Sequence, residues 1–127
     1  MSFTKSFHHV GIPTTEIKSG ERYSERFKMY TTNSINEQYR IQFHRYEKDC
    51  PLHKLIQTMP HIAYKVSNID EAIKGENVIM EKYEPFTGYK VAMIAINGVP
   101  IEFIETNLSE EEIWDPKKHK NSIIYTI

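Results

Sequence analysis

Hydrophobic and polar residues alternate with a period of two in several short stretches, the pattern of strands with one face on a core. In HHVGIPTTEI, residues 8 to 17, Val10 and Ile12 share one face and leave His9 and Gly11 on the other. In PHIAYKVSNI, residues 60 to 69, Ile62, Tyr64 and Val66 leave His61 and Ala63. YRIQFHRY at 39 to 46 sets Ile41 and Phe43 against Gln42, and VPIEFIET at 99 to 106 sets Ile101 and Phe103 against Glu102. The stretches align in pairs, His9 with His61 and Ile41-Gln42-Phe43 with Ile101-Glu102-Phe103, so the chain carries a weak internal duplication.

Each half reads as strand, helix, then three strands. In the first, Thr14 or Thr15 caps a helix predicted over about 16 to 28, with Ile17, Tyr23 and Phe27 inward. KMYTTNSI and QYRIQFHRY follow as strands, parted by the polar Asn33 to Gln38 region. In the second, Ser67 or Asn68 caps NIDEAIKG, which Gly75 ends. ENVIMEKY, GYKVAMIAIN and VPIEFIET are strands separated by turns at Pro85 to Gly88 and at Asn97-Gly98. CPLHKLIQTMP offers a turn or two of connecting helix, and Ser109 before Glu110, Glu111 and Glu112 starts another that Pro116 stops. The expected fold is α+β. Two βαβββ modules form a curved mixed sheet with helices outside, in one domain over 1 to 127. Module 1 covers about 5 to 48, a linker 49 to 59, module 2 60 to 107 and a tail 108 to 127.

Composition narrows the function classes. A chain of 127 residues that is 39% hydrophobic and 12% aromatic argues for one folded domain and against disorder. A net charge of -1 without a basic block argues against nucleic acid as a partner. No run approaches the ~20 apolar residues of a membrane helix, and MSFTKSFHHV lacks a signal-peptide stretch, so a cytoplasmic protein is expected. Cys50 stands alone, which excludes an internal disulfide and zinc-ribbon spacing and leaves it structurally neutral.

If the apolar strand faces pack against helices, His9, Gln42, His61 and Glu102 converge on a concave surface, where Gly11 and Ala63 leave room. Two imidazoles with one or two oxygen donors suit zinc, nickel, cobalt, manganese or iron better than calcium. Any one of these residues alone reads as an ordinary strand histidine or a solvated edge carboxylate; their equivalence in the repeat carries the metal expectation. His44, on the face of Gln42, is a candidate base beside Glu102. Arg40 and Lys65 share the inner parity and are candidate anchors for a substrate carboxylate or phosphate. By the same parity His8 faces away from His9, and His53 and His119 fall in connecting and tail segments, so these three stay outside the expected site. Ile123, Ile124, Tyr125 and Ile127 are expected to pack on the core or a partner, and the Pro and Gly content of Glu84 to Gly88 marks a loop placed to gate the cup.

The openings HHVGI and PHIAYKVSNIDEAI and the closing VPIEFIET resemble the vicinal oxygen chelate superfamily, which includes glyoxalases and bleomycin-resistance proteins. The resemblance covers roughly residues 5 to 107. It implies two modules curving around one divalent metal, with ligands from the first and last strand of each, positions that fall on His9, Gln42, His61 and Glu102. It also implies a homodimer and a small-molecule substrate. The His-Gln-His-Glu order resembles methylmalonyl-CoA epimerases, whereas many glyoxalases have Glu in place of Gln42. The leading expectation is therefore a metal-dependent lyase or isomerase that chelates adjacent oxygens and stabilises an enolate. Two alternatives stay open: an extradiol-type Fe(II) dioxygenase built on His9, His61 and Glu102, and a metal-free small-molecule binding protein.

Overall fold

The computed structural model describes residues 2 to 32 and 38 to 124. Eight strands form one sheet: β1 (Lys5–Pro13), β2 (Arg22–Ser24), β3 (Met29–Thr31), β4 (Ile41–Tyr46), β5 (His61–Val66), β6 (Asn77–Phe86), β7 (Tyr89–Ile96) and β8 (Val99–Thr106). Three short helices accompany them, α1 (Lys54–Thr58), α2 (Ile69–Ile73) and α3 (Glu110–Trp114), with a 3-10 turn at Pro116–Lys118. None of these helices is long and apolar enough to cross a membrane.

The strand order β2-β3-β4-β1-β5-β8-β7-β6 reads the same from both ends once the halves are superposed. β1 runs parallel to β4 and β5 parallel to β8, and the halves meet where β1 and β5 pair antiparallel. The sheet curls into a half-barrel, so the strands predicted from period-two alternation form the expected cup. Asn97 and Gly98, both with positive φ, turn β7 into β8, as their dipeptide predicts.

Outside module 2, Ile69 and Ala72 of α2 pack on Val66, Ala92, Ile94 and Phe103. Asn68 caps α2 by accepting from the Glu71 amide. Inside, Ala63, Val91 and Ile104 line the concave face with Met80, Tyr83 and Tyr89. Four consecutive β7 residues, Val91 to Ile94, are buried because both sheet faces are covered there.

The first module departs from expectation. No helix forms over 16 to 28; the segment contains β2 and turns instead. Ile17, one of the three supposed inward residues, is 80% exposed. Gly20 adopts positive φ, a backbone state that ends a helix. Around Tyr23 the true period is two: Arg22 and Ser24 turn into the cup while Tyr23 faces out. A row of side chains across three strands covers the outer surface where a helix was expected. Tyr23 packs on Tyr30 with ring centroids 4.8 Å apart, and the Arg45 guanidinium lies 3.9 Å from the Tyr30 ring. Glu21 receives two hydrogen bonds from Arg45, both 2.9 Å, and the Tyr23 hydroxyl donates to Glu47 at 2.6 Å. The polar turn expected from Asn33 to Gln38 falls, at 33 to 37, outside the described residues, as do Tyr125 and Ile127 of the tail.

Candidate metal centre

His9 on β1, His61 on β5 and Glu102 on β8 come together at the bottom of the cup. One ligand atom from each lies within 4.8 Å of the others. The Glu102 Oε1 is 3.3 Å from His9 Nε2 and 3.4 Å from His61 Nε2. Ligands bonded at about 2.0–2.1 Å and splayed tetrahedrally stand roughly 3.3–3.4 Å apart, so these spacings fit one small divalent ion. Register explains the convergence: Ala63 pairs with both His9 and Glu102, and Gly11 pairs with both His61 and Gln42. Gly11 is needed for a close approach, because a Cβ there would sit 2.1 Å from His61 Cε1. Gln42 faces the same cavity as these three residues.

Two further observations fit a cation. His9 Nε2 is buried and makes no hydrogen bond, although a carboxylate oxygen lies 3.3 Å away. A nitrogen lone pair facing a carboxylate is repulsive unless a positive charge lies between them. Burial opposes ionisation of Glu102, yet the two imidazoles of His61 and His9 facing it prevail and hold its carboxyl well below the usual range.

The cavity above this centre has a volume of about 130 Å³. Arg22, Met80, Tyr83, Phe86 and Val91 contribute to its walls, and Leu52 and Ile56 from the connecting segment close one side. The tail covers it with Ile113, Trp114, His119 and Ile124. Trp114 stacks on His8 and stands edge-on to His9, and the His119 ring lies flat on Phe86. Ile124 therefore packs as expected, while Ile123 stays half exposed. Pro85 and Phe86, from the segment expected to gate the cup, line the cavity and hydrogen-bond to the tail through Pro85 and Thr87.

His44 lines the cavity beside His61, their rings 5.5 Å apart. Its Nδ1 lies 3.0 Å from the Thr31 hydroxyl, and its Nε2 is buried without a hydrogen bond. Burial, reinforced by His61, lowers its pKa to about 3. Arg40 and Lys65 do not reach the cavity. Arg40 pairs with Glu110 at 3.5 Å, and Lys65 borders a separate polar depression with Ser6 and Lys90. Burial raises the Cys50 thiol, in keeping with a structural role.

The placement of His8 corrects the parity reading. The β1–β5 register shifts between Phe7 and His9, so His8 is the extra residue of a bulge and turns to the buried side with His9. Its Nδ1 lies 2.8 Å from His9 Nδ1 and its Nε2 lies 3.0 Å from Glu110 Oε1. Burial, and then the neighbouring His9, lower its pKa to about 4. Arg22 and His119 are also cavity residues that sequence reasoning missed. Arg22 was hidden by the helix prediction, and nothing in the local pattern marks His119.

Acid is expected to destabilise the metal-free protein. His8 and His44 are neutral when folded, with pKa values of about 4 and 3, but an unfolded chain protonates them near the ordinary 6.5. Below that value the unfolded state binds more protons, so stability present above it drains away toward pH 4 and then 3. Urea unfolding should show a loss of about 2–4 kcal/mol between pH 7 and 5, and His44→Gln should flatten that slope.

No family model matches this chain, and no curated protein matches it. Among solved structures the chain is similar to the hypothetical protein BH1468 from Bacillus halodurans C-125, with a TM-score of 0.65 and 22% identity. The match covers 84% of this chain and 97% of that one. It supports the fold alone, a curled mixed-sheet half-barrel.

Proposed function

We propose that this chain is a metal-dependent lyase or isomerase of the glyoxalase type, within the vicinal oxygen chelate superfamily. Its reaction removes a proton beside a carbonyl of a compact substrate with adjacent oxygens. The observation that carries this reading is the two-histidine, one-carboxylate centre, with His9 Nε2 facing Glu102 at 3.3 Å and making no hydrogen bond. His9, His61 and Glu102 would hold one divalent ion of zinc, nickel, cobalt, manganese or iron, with Gln42 beside them. Such an ion, when bound, polarises a carbonyl and stabilises the negative charge of an enolate.

The protein's own groups move the proton and hold the substrate. A neutral His44 that donates Nδ1–H to the Thr31 hydroxyl presents the Nε2 lone pair as proton acceptor. Glu102, the other candidate base, is held as an anion by its two histidines, and His44 is held neutral by burial with a pKa of about 3, so neither takes a proton readily in the metal-free cavity. Arg22 on the cavity wall supplies the positive charge for a substrate carboxylate, the task sequence parity assigned to Arg40 and Lys65. The cavity volume is near the roughly 150 Å³ that holds a benzene-sized molecule, which sets the scale of the group taken up. Phe7 and Ile62, 49% and 39% exposed on the outer face of β1 and β5, suit coverage by a second copy in a homodimer.

The same three ligands form the facial triad of Fe(II) oxygenases, which favours an extradiol-type dioxygenase as the second reading. Plasma mass spectrometry of tag-free protein should find about one divalent ion per chain, lost in His61→Ala and Glu102→Ala. Exchange of a substrate α-proton for deuterium, followed by NMR, should then need that ion and slow in His44→Gln. Oxygen-dependent cleavage of a catechol with iron alone would select the dioxygenase. No metal even after adding it back would overturn both and leave a sequestering protein.

A further inference from the structure

His9 carries a second nitrogen whose partner decides what its first can do. Its Nδ1 lies 2.8 Å from the Nδ1 of His8, so one of these nitrogens donates a proton and the other accepts it. Each far nitrogen faces a carboxylate without a hydrogen bond, His8 Nε2 toward Glu110 and His9 Nε2 toward Glu102, so it is a metal on His9 Nε2 that settles which. His8 Nε2 lies 3.0 Å from Glu110 Oε1, and a carboxylate, which only accepts, favours a proton on that nitrogen. With Nε2 protonated, neutral His8 offers a lone pair at Nδ1, and His9 donates its Nδ1–H to it. The His9 Nε2 is then left with a lone pair directed at Glu102. The opposite arrangement places a His8 lone pair against Glu110 and removes the lone pair that His9 needs as a ligand.

From this chain of contacts we infer that His8 and Glu110 are positioning residues that hold His9 in its metal-binding tautomer. Histidine ligands generally donate their other N–H to an acceptor, most often a carboxylate or carbonyl; here an imidazole stands between ligand and carboxylate. Packing fixes both rings: Trp114 lies parallel to His8 at 5.5 Å and edge-on to His9 at 5.8 Å. Glu110 Oε1 also accepts from Trp114 Nε1 at 3.1 Å and lies 3.5 Å from an Arg40 nitrogen. Arg40 thus has a place in the site without touching the cavity. Because Glu110 and Trp114 belong to α3, the tail becomes part of the ligand set's support. The inference rests on the reading that His9 is a ligand.

The test compares wild type, His8→Leu, His8→Asn and Glu110→Ala as full-length chains, in two measurements. Competition with a chromophoric chelator gives zinc affinity, and long-range proton–nitrogen NMR of the zinc-loaded protein gives the His8 tautomer. His8→Leu, which removes the acceptor, should weaken zinc binding by about 10–100-fold. His8→Asn, whose side-chain oxygen replaces Nδ1, should restore most of it. In zinc-loaded wild type His8 should carry its proton on Nε2, facing Glu110, and Glu110→Ala should weaken zinc binding. Equal zinc affinity in wild type and His8→Leu, or an equal loss in His8→Leu and His8→Asn, would overturn the acceptor role. An Nδ1–H His8 in zinc-loaded wild type would overturn the inference outright, and unchanged zinc affinity in Glu110→Ala would remove Glu110 from it. If wild type binds no zinc, the metal reading fails and this inference with it, whereas zinc binding by wild type that His8→Leu leaves unchanged overturns this one alone.

Discussion

Gly11→Ala is expected to disable the metal centre while leaving the rest of the sheet paired. The added methyl would lie 2.1 Å from His61 Cε1 and 2.5 Å from its Nε2, far inside van der Waals contact. Gly11 has no left-handed backbone, so alanine is tolerated by the chain itself and the conflict falls on the ring. The ring cannot simply yield: it is 5% exposed and lies against His44 on one side and His9 on another. It has to swing away from Glu102, taking one ligand out of the set. Zinc affinity should fall by more than the 10–100-fold that losing a supporting partner costs. Overpacking should also cost about 1–3 kcal/mol. Chelator competition and urea unfolding measure the two effects separately. Unchanged zinc binding in Gly11→Ala would mean that His61 binds from another rotamer or is no ligand.

Truncation after Asn107 should have the largest effect on stability. It removes Ile113, which is buried, and Trp114 and His119, which cover the cavity against His8 and Phe86. It also cuts the backbone hydrogen bonds from Thr87 to Lys120 and from Ile123 to Pro85, freeing the end of β6. Burial of a large apolar side chain is worth about 1.5–3 kcal/mol, so losing these together should cost more than about 3 kcal/mol. Met80, Tyr83, Phe86 and Val91 would then line an open groove. Raised binding of a hydrophobic dye and a lower urea midpoint are the expected results. A midpoint equal to wild type would show that the tail adds nothing to the fold.

How legible each feature was depended on whether local periodicity expressed it. Strand parity selected His9, Gln42, His61 and Glu102, because regular alternation on β1, β4, β5 and β8 carries a side chain's direction faithfully into the fold. The same rule failed for His8, since a bulge adds one residue and reverses parity on one side of it, and no local residue type announces it. The helix expected over 16 to 28 rested on three apolar positions. Cross-strand packing of Tyr23, Tyr30 and Arg45 overrode it, and those partners are too far apart in sequence for a short window to register. Arg22 disappeared with that prediction. Lys65 had the right parity but the wrong height along β5, a coordinate that alternation does not encode, and Arg40 precedes β4 with positive φ, where alternation does not apply.

Trp114 is the chain's single tryptophan, and it is wedged between the supporting histidine and the lid of the cup. Its emission therefore reports on one place only. A change in the charge of His9, or the lifting of α3, alters the environment of this indole and of no other. Binding of an ion at His9 and docking of the tail are therefore both expected to change the intrinsic fluorescence of the unlabelled protein, readable in a cuvette.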